Sequence, residues 1–291
     1  VLTKQHPYAG GGWRGDPASL DRLLTEFLER HQSLPDPAPQ YEMNSVHGHP
    51  IAFRHRAGAG PQVLFIGGFR SAMSGIKARW LDFLAAQWGF GFTRFDPLGH
   101  GETGGDFLAG DISVWRDDAL TMLDRVAQGQ AILIGSSMGG WLMTLLALRR
   151  PERLAGLIGI ASAPDFTQRI EAALTAERRA ALARDGVFFR PSAYGAPDPI
   201  SARLLASGRE NLVLDRAHSI HVPIRLLHGT QDADVPYDCS LALAQKLTSP
   251  DLRLLLLAGG DHRLSHSRDL VALAQTLAEV GGDSAKNLAT L

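Results

Sequence analysis

Hydrophobic residues in this chain fall into short unbroken runs, separated by stretches in which apolar positions recur every three or four residues. The runs are "VLFIG" (63–67), "GFTRFD" (91–96), "AILIG" (131–135), "LAGLIGIA" (154–161), "IRLLHG" (224–229) and "LRLLLLA" (252–258). Runs of this kind suit strands covered on both faces, as in parallel sheets. The periodic stretches between them, at about 76–88, 112–126, 138–149, 237–248 and 268–280, read as helices. Their alternation predicts an α/β fold, a mostly parallel central sheet with helices on both faces.

Three regions stand outside that alternation. Residues 1–16 are rich in Gly, Pro and polar residues and read as an irregular arm. Asp16-Pro17 then opens a helix with Leu20, Leu23, Leu24, Phe27 and Leu28 on one stripe, and the prolines of "LPDPAPQ" (34–40) end it as a linker. "YEM" (41–43) and "IAFRH" (51–55) read as a hairpin. Residues 164–222 carry two weak helical patterns and no convincing strand, which predicts a helical cap inserted between two strands. The expected organisation is an amino-terminal arm and helix (1–40), a core (41–163 and 223–291) and a cap (164–222).

Composition narrows the function classes. The 29 Lys and Arg residues balance 30 Asp and Glu, so no charge excess draws the chain to nucleic acid or an anionic membrane surface. Cys239 is the only cysteine, which excludes an intramolecular disulfide and favours a reducing compartment. No apolar run approaches the ~20 residues of a membrane span. The expectation is a soluble, cytoplasmic protein, although the missing initiator Met leaves room for a removed targeting segment. Arg14-Gly15-Asp16 reads as a chance adhesion tripeptide, and the sequence is silent on oligomeric state.

The chemistry lies in "AILIGSSMGGWLM" (131–143), where a strand pattern meets a helix pattern at Gly-Ser-Ser-Met-Gly. Only Ser137 has glycine two residues before and two after it. A sharp strand-to-helix turn strains its central residue and crowds the flanking backbones, which glycine permits, and it presents the hydroxyl at the carboxyl end of the sheet. The Met138 N–H at the helix start is a candidate oxyanion donor.

A serine hydroxyl needs a base to take its proton and a third group to orient the base. "LLHGTQDADVP" (226–236) ends one predicted strand with Asp232 and Asp234, and "LLLLAGGDHRLS" (254–265) ends the next with His262. Asp232 is the favoured acid, with Asp234 as the alternative. A second oxyanion donor is expected from "FIGGFRSAMSG" (65–75), at the Phe69 N–H, where Gly68 lets the backbone approach the substrate. The same loop does not fit a phosphate loop, since it continues Gly75-Ile76-Lys77-Ala78. The pairs His47/His49, His218/His221 and His262/His266 lack a zinc-binding frame, so neither a metal nor a cofactor is expected. His100 reads as a loop support.

These motifs, with "FDPLGHGETGGDF" (95–107), resemble the α/β-hydrolase superfamily over about residues 50–280. Within it they are most similar to compact serine esterases related to mitochondrial acyl-protein thioesterases and acyl-glucuronide esterases. The resemblance implies a Ser137–His262–Asp232 triad, Phe69 and Met138 as oxyanion donors, and a small helical cap. It also implies a small acyl ester or thioester as substrate. The chain departs from it in carrying Gly67 where many members have His, and the amino-terminal arm and helix have no placed counterpart.

Arg70, Gly68 and Trp141 are the expected substrate contacts, with Arg70 either attracting an acidic group or held in a salt bridge. Phe166, Ile170, Leu174, Val187, Phe188, Phe189, Tyr194, Ile200, Leu204 and Leu205 either line an acyl pocket or seal the cap onto the sheet. The alternative activities are C–C hydrolysis, acyl transfer or perhydrolysis by the same triad, or ligand binding without turnover.

Overall fold

In a computed structural model, which describes residues 14–31, 33–192 and 195–288, the apolar runs become the strands of one sheet. The strands in chain order are β1 (Gln40–Glu42), β2 (Ile51–Arg56), β3 (Gln62–Ile66), β4 (Gly91–Phe95), β5 (Ala131–Ser136), β6 (Leu154–Ile160), β7 (Val187–Arg190), β8 (Asp198–Ser201), β9 (His218–Ser219), β10 (Ile224–Gly229), β11 (Leu247–Thr248) and β12 (Leu252–Leu257). The helices are α1 (Pro17–Glu26), α2 (Ile76–Trp88), α3 (Ile112–Arg125), α4 (Met138–Arg149), α5 (Phe166–Ala172), α6 (Ala176–Asp185), α7 (Ala202–Glu210), α8 (Asp238–Lys246) and α9 (Ser267–Leu288).

The eight-stranded sheet runs β1-β2-β4-β3-β5-β6-β10-β12. Only the β1–β2 and β2–β4 pairs are antiparallel. The middle strands are mostly apolar because both faces are covered. Leu133 of β5 packs with Trp115, Met122 and Leu142 of α3 and α4 on one face. Its neighbours Ile132 and Ile134 pack with Leu81 of α2 and Leu273 and Leu277 of α9 on the other.

Helix α1 starts where the sequence places it, with Asp16 accepting from the Ser19 N–H at 2.9 Å. Its stripe of Leu20, Leu24 and Phe27 closes over Trp80 and Leu84 of α2 and Leu270 of α9. The proline-rich linker is pinned by Asp36, whose two oxygens take 2.8 and 2.9 Å hydrogen bonds from the buried guanidinium of Arg94.

Between β6 and β10 the chain differs from the expectation of helices alone. Val187–Arg190 and Asp198–Ser201 pair as an antiparallel hairpin, with Phe188 opposite Ile200. Both of those side chains are buried while Phe189 is exposed, the alternation of a half-buried strand. A run of four residues inside a polar segment is too short for that alternation to stand out. Tyr194 and residues 1–13 of the expected arm lie outside the described residues.

Candidate active site

Strand β5 ends at Ser136 and α4 begins at Met138, leaving Ser137 alone on the turn with φ 55° and ψ −118°. That positive φ is strained for a residue with a Cβ. The flanking glycines are required by contact: a Cβ on Gly135 would meet the Gly139 carbonyl oxygen at 2.3 Å, and one on Gly139 would meet the Ile66 carbonyl oxygen at 2.1 Å. The turn is clamped as well. The Ser137 N–H donates to the Ile160 carbonyl at 2.9 Å, and the Ser137 carbonyl accepts from the N–H groups of Gly140 and Ala163 at 2.9 and 3.0 Å.

Asp232 and His262 sit on the loops that follow β10 and β12, at the same edge of the sheet as Ser137. His262 Nδ1 lies 2.7 Å from Asp232 Oδ2, and its Nε2 lies 3.1 Å from Ser137 Oγ. A carboxylate only accepts, so Nδ1 carries the proton and Nε2 offers its lone pair to the serine hydroxyl. Asp234 is exposed and meets Asp232 only through its backbone N–H, 3.0 Å from Oδ1, so the imidazole contact belongs to Asp232.

The sequence reading gave His228 no role, yet it faces the same carboxylate. Its Nε2 lies 3.1 Å from Asp232 Oδ2 and 2.9 Å from the Val235 carbonyl, and its Nδ1 lies 2.7 Å from Ser240 Oγ. Two acceptors at Nε2 place the proton there, so His228 is a second donor to Asp232. The Val235 N–H adds a bond of 2.8 Å to Oδ1. Burial alone would raise the Asp232 pKa, but hydrogen bonds from His228 and His262, the charge of His262 and the Val235 N–H hold it well below the usual carboxylate range. The four-residue spacing of His228 and Asp232 was the available signal.

The loop after β3 abuts the serine, with space for only 3.1 Å between a Cβ on Gly68 and the Ser137 Cβ. The Phe69 N–H has no hydrogen-bond partner among the described residues. Met138 is the first residue of α4, where an N–H has no helical acceptor. Arg70, next in the loop, also has a positive φ of 57°, and its N–H donates to His100 Nε2 at 3.0 Å. Burial pushes His100 down to about 4, so the ring is neutral, donating from Nδ1 to the Leu98 carbonyl and accepting at Nε2.

Arg70 is held in a salt bridge rather than left free for a ligand. Its Nη1 donates to the carbonyls of Ala196 and Pro197 at 2.7 and 2.9 Å and lies 3.3 Å from Asp198 Oδ1. Trp141 requires a correction, because it lies beneath the site rather than on the substrate path. It is fully buried, donates from Nε1 to the Asn211 carbonyl at 2.8 Å, and packs edge-on against Phe166. A side chain on the first turns of α4 points under the turn that lifts Ser137.

A cavity of ≈ 780 Å³ opens over Ser137 and His262, with Gly68, Phe69, Arg70 and Met138 in its wall. Phe166, Ile170 and Phe188 line it. Ile200, Leu204 and Leu205 instead join the core beneath, so that apolar set divides between the cavity wall and the core. Among the described residues, no group of three or more His, Cys, Asp or Glu side chains converges as a metal site would. His47 and His49 face Asp117 and Asp118 instead.

A family model described as serine aminopeptidase, S33, matches residues 61–189. The mitochondrial palmitoyl-protein thioesterase ABHD10 of Mus musculus is 36% identical over 229 residues, covering 78% of this chain and 77% of that protein. The Homo sapiens protein of the same name is 30% identical over 284 residues, covering 93% of this chain and 92% of its own. A match that wide reaches into residues 1–40, where the sequence alone offered no counterpart. The solved structure of alpha/beta hydrolase domain-containing protein 10 from mouse superposes with a TM-score of 0.77 at 33% identity, over 84% of this chain and 98% of that one. These mitochondrial relatives overturn the expectation of a cytoplasmic location. A single cysteine excludes an intramolecular disulfide, which is not an address.

Proposed function

Since the chain belongs to the α/β-hydrolase family that includes the mitochondrial palmitoyl-protein thioesterases, we propose that it cleaves acyl thioester and carboxylic ester bonds through an acyl-enzyme on Ser137. The observation that carries the reading is the single imidazole of His262 hydrogen-bonded to both Ser137 Oγ and Asp232 Oδ2.

In this reading His262 Nε2 takes the hydroxyl proton as Ser137 Oγ attacks the acyl carbon. Asp232 cannot leave its four donors cheaply, so it stays ionised and holds the imidazole in the one tautomer that accepts from serine. The negative charge on the acyl oxygen falls to the Phe69 and Met138 N–H groups, which the strained turn and the glycine loop hold in place before substrate arrives. His262 returns the proton to the departing alcohol or thiol. Water then repeats the sequence on the acyl-enzyme and releases the acid. Phe166, Ile170 and Phe188 supply an apolar wall for the acyl group.

Replacing Ser137 by Ala tests the assignment. With p-nitrophenyl butyrate the variant is expected to lose on the order of 10⁶ in kcat, the loss seen when a triad acts as a unit. Turnover near the wild-type level would sink the mechanism.

A further inference from the structure

The chain as a whole is balanced, with 29 Lys and Arg against 30 Asp and Glu, but the cavity wall is not. Six cationic side chains line it, Arg70, Lys77, Arg169, Arg178, Arg190 and Arg263, against two acidic ones, Asp198 and Asp234. They come from both sides: Arg169, Arg178 and Arg190 from the segment between β6 and β10, the others from the loops and helix start that frame Ser137 and His262.

Internal pairing does not account for the three arginines of that segment. Arg70 and Arg190 share one carboxylate, Asp198, at 3.3 and 3.0 Å. The Nε of Arg190 is buried without a hydrogen-bond partner among the described residues. Arg169 meets the neutral thiol of Cys239 at 2.9 Å and has no carboxylate partner among the described residues. The same holds for Arg178, whose guanidinium carbon sits 5.4 Å over the Phe188 ring. Stacking there fixes the group while its N–H edge stays open. A single carboxylate on a substrate is satisfied by one such fork. Several forks around one cavity suit an anion with several oxygens and more than one charge, and Arg pairs with phosphate through two parallel N–H···O bonds.

We infer that the acyl group reaches Ser137 on a phosphorylated leaving group, a thioester of the coenzyme A or phosphopantetheine type, with Arg169, Arg178 and Arg190 receiving its phosphates. The inference rests on the hydrolase reading above and names its substrate class. The reaction is a hydrolysis that needs no co-reactant besides water. The bond from Ser137 Oγ to the acyl carbon forms as the carbon–sulfur bond breaks, and the serine proton passes through His262 to the thiolate. Water then gives its oxygen to the acid and its proton, through His262, back to Ser137.

The test compares kcat/KM of the full chain for butyryl-coenzyme A, S-butyryl-4′-phosphopantetheine and S-butyryl-pantetheine, which share acyl group and thiol arm and differ in phosphate. The expected result is at least a tenfold advantage of butyryl-coenzyme A over S-butyryl-pantetheine at low salt. That advantage should shrink as NaCl screens the cavity, and it should fall several-fold in Arg178→Gln and in Arg169→Gln. The wild-type comparison stands even if a variant fails to fold. A phosphopantetheine thioester as good as the coenzyme A one supports a carrier-borne substrate, and one as poor as the pantetheine thioester supports recognition of the nucleotide end. Equal, salt-independent kcat/KM for the first and third substrates overturns the inference and leaves the hydrolase standing. Absence of turnover with all three and with activated esters removes both.

Discussion

His100 accepts the backbone N–H of Arg70 on its Nε2 at 3.0 Å, and through that bond a residue 30 positions away sets the path of the loop after β3. The ring packs on Phe107 and Trp115 at centroid distances of 5.1 and 5.2 Å, which leaves it one orientation. His100→Phe keeps the packing and removes the acceptor. The expected cost is on the order of tenfold in kcat with little change in KM, because the Phe69 N–H loses aim on the charge that develops only in the transition state. Partial recovery in His100→Gln, which restores an acceptor, separates this role from simple destabilisation. An unchanged kcat in His100→Phe would remove it.

Asp232 gives a prediction in two measurements. Asp232→Asn leaves the shape but offers His262 an amide, so the wrong tautomer competes, and kcat should fall roughly 10⁴-fold. The carboxylate also ties stability to pH. Its folded pKa lies below the ordinary value of 3.8, so its contribution is complete above that value and drains away as the pH falls below it. Urea midpoints measured from pH 6 down to pH 3 should therefore drop more steeply for the wild type than for Asp232→Asn. Parallel curves would contradict the assignment.

Asp36 predicts a stability effect far from the chemistry. It takes two hydrogen bonds from Arg94, a residue 2% exposed, and lies 3.4 Å from Arg79 and 3.9 Å from Arg54. The Asp82 carboxylate, 3.2 Å from Arg94 Nε, and the Met73 carbonyl, 2.9 Å from Nη1, remain if Asp36 is removed. Asp36→Ala takes two charge-assisted hydrogen bonds from a buried guanidinium, and the expected loss is roughly 3 kcal/mol by urea denaturation. A loss under about 0.5 kcal/mol, the size of a surface substitution, would show that the linker is not anchored there.

Much of the fold was legible because the sheet is covered on both faces. Strands such as β5 and β6 must then be mostly apolar, and such runs stand out close to their true ends. Ser137 was legible for a related reason, since only glycine tolerates the approach of Gly139 to the Ile66 carbonyl, and the spacing writes that contact into the sequence. Spacing favoured Asp232 over Asp234 without deciding between them, because the choice lies in which oxygen His262 meets. The burial of Trp141 and the cations of the cavity wall share another property. Each is defined by partners distant in the chain, which no period or motif records.

The most direct measurement is labelling of the folded protein with a fluorophosphonate probe, followed by peptide mapping of the adduct. A stable phosphonyl adduct on Ser137, lost in His262→Ala, is the predicted result, since only a serine with a base at 3.1 Å attacks phosphorus at a useful rate. No adduct on folded protein, or an adduct on Ser136 or elsewhere, would contradict the account.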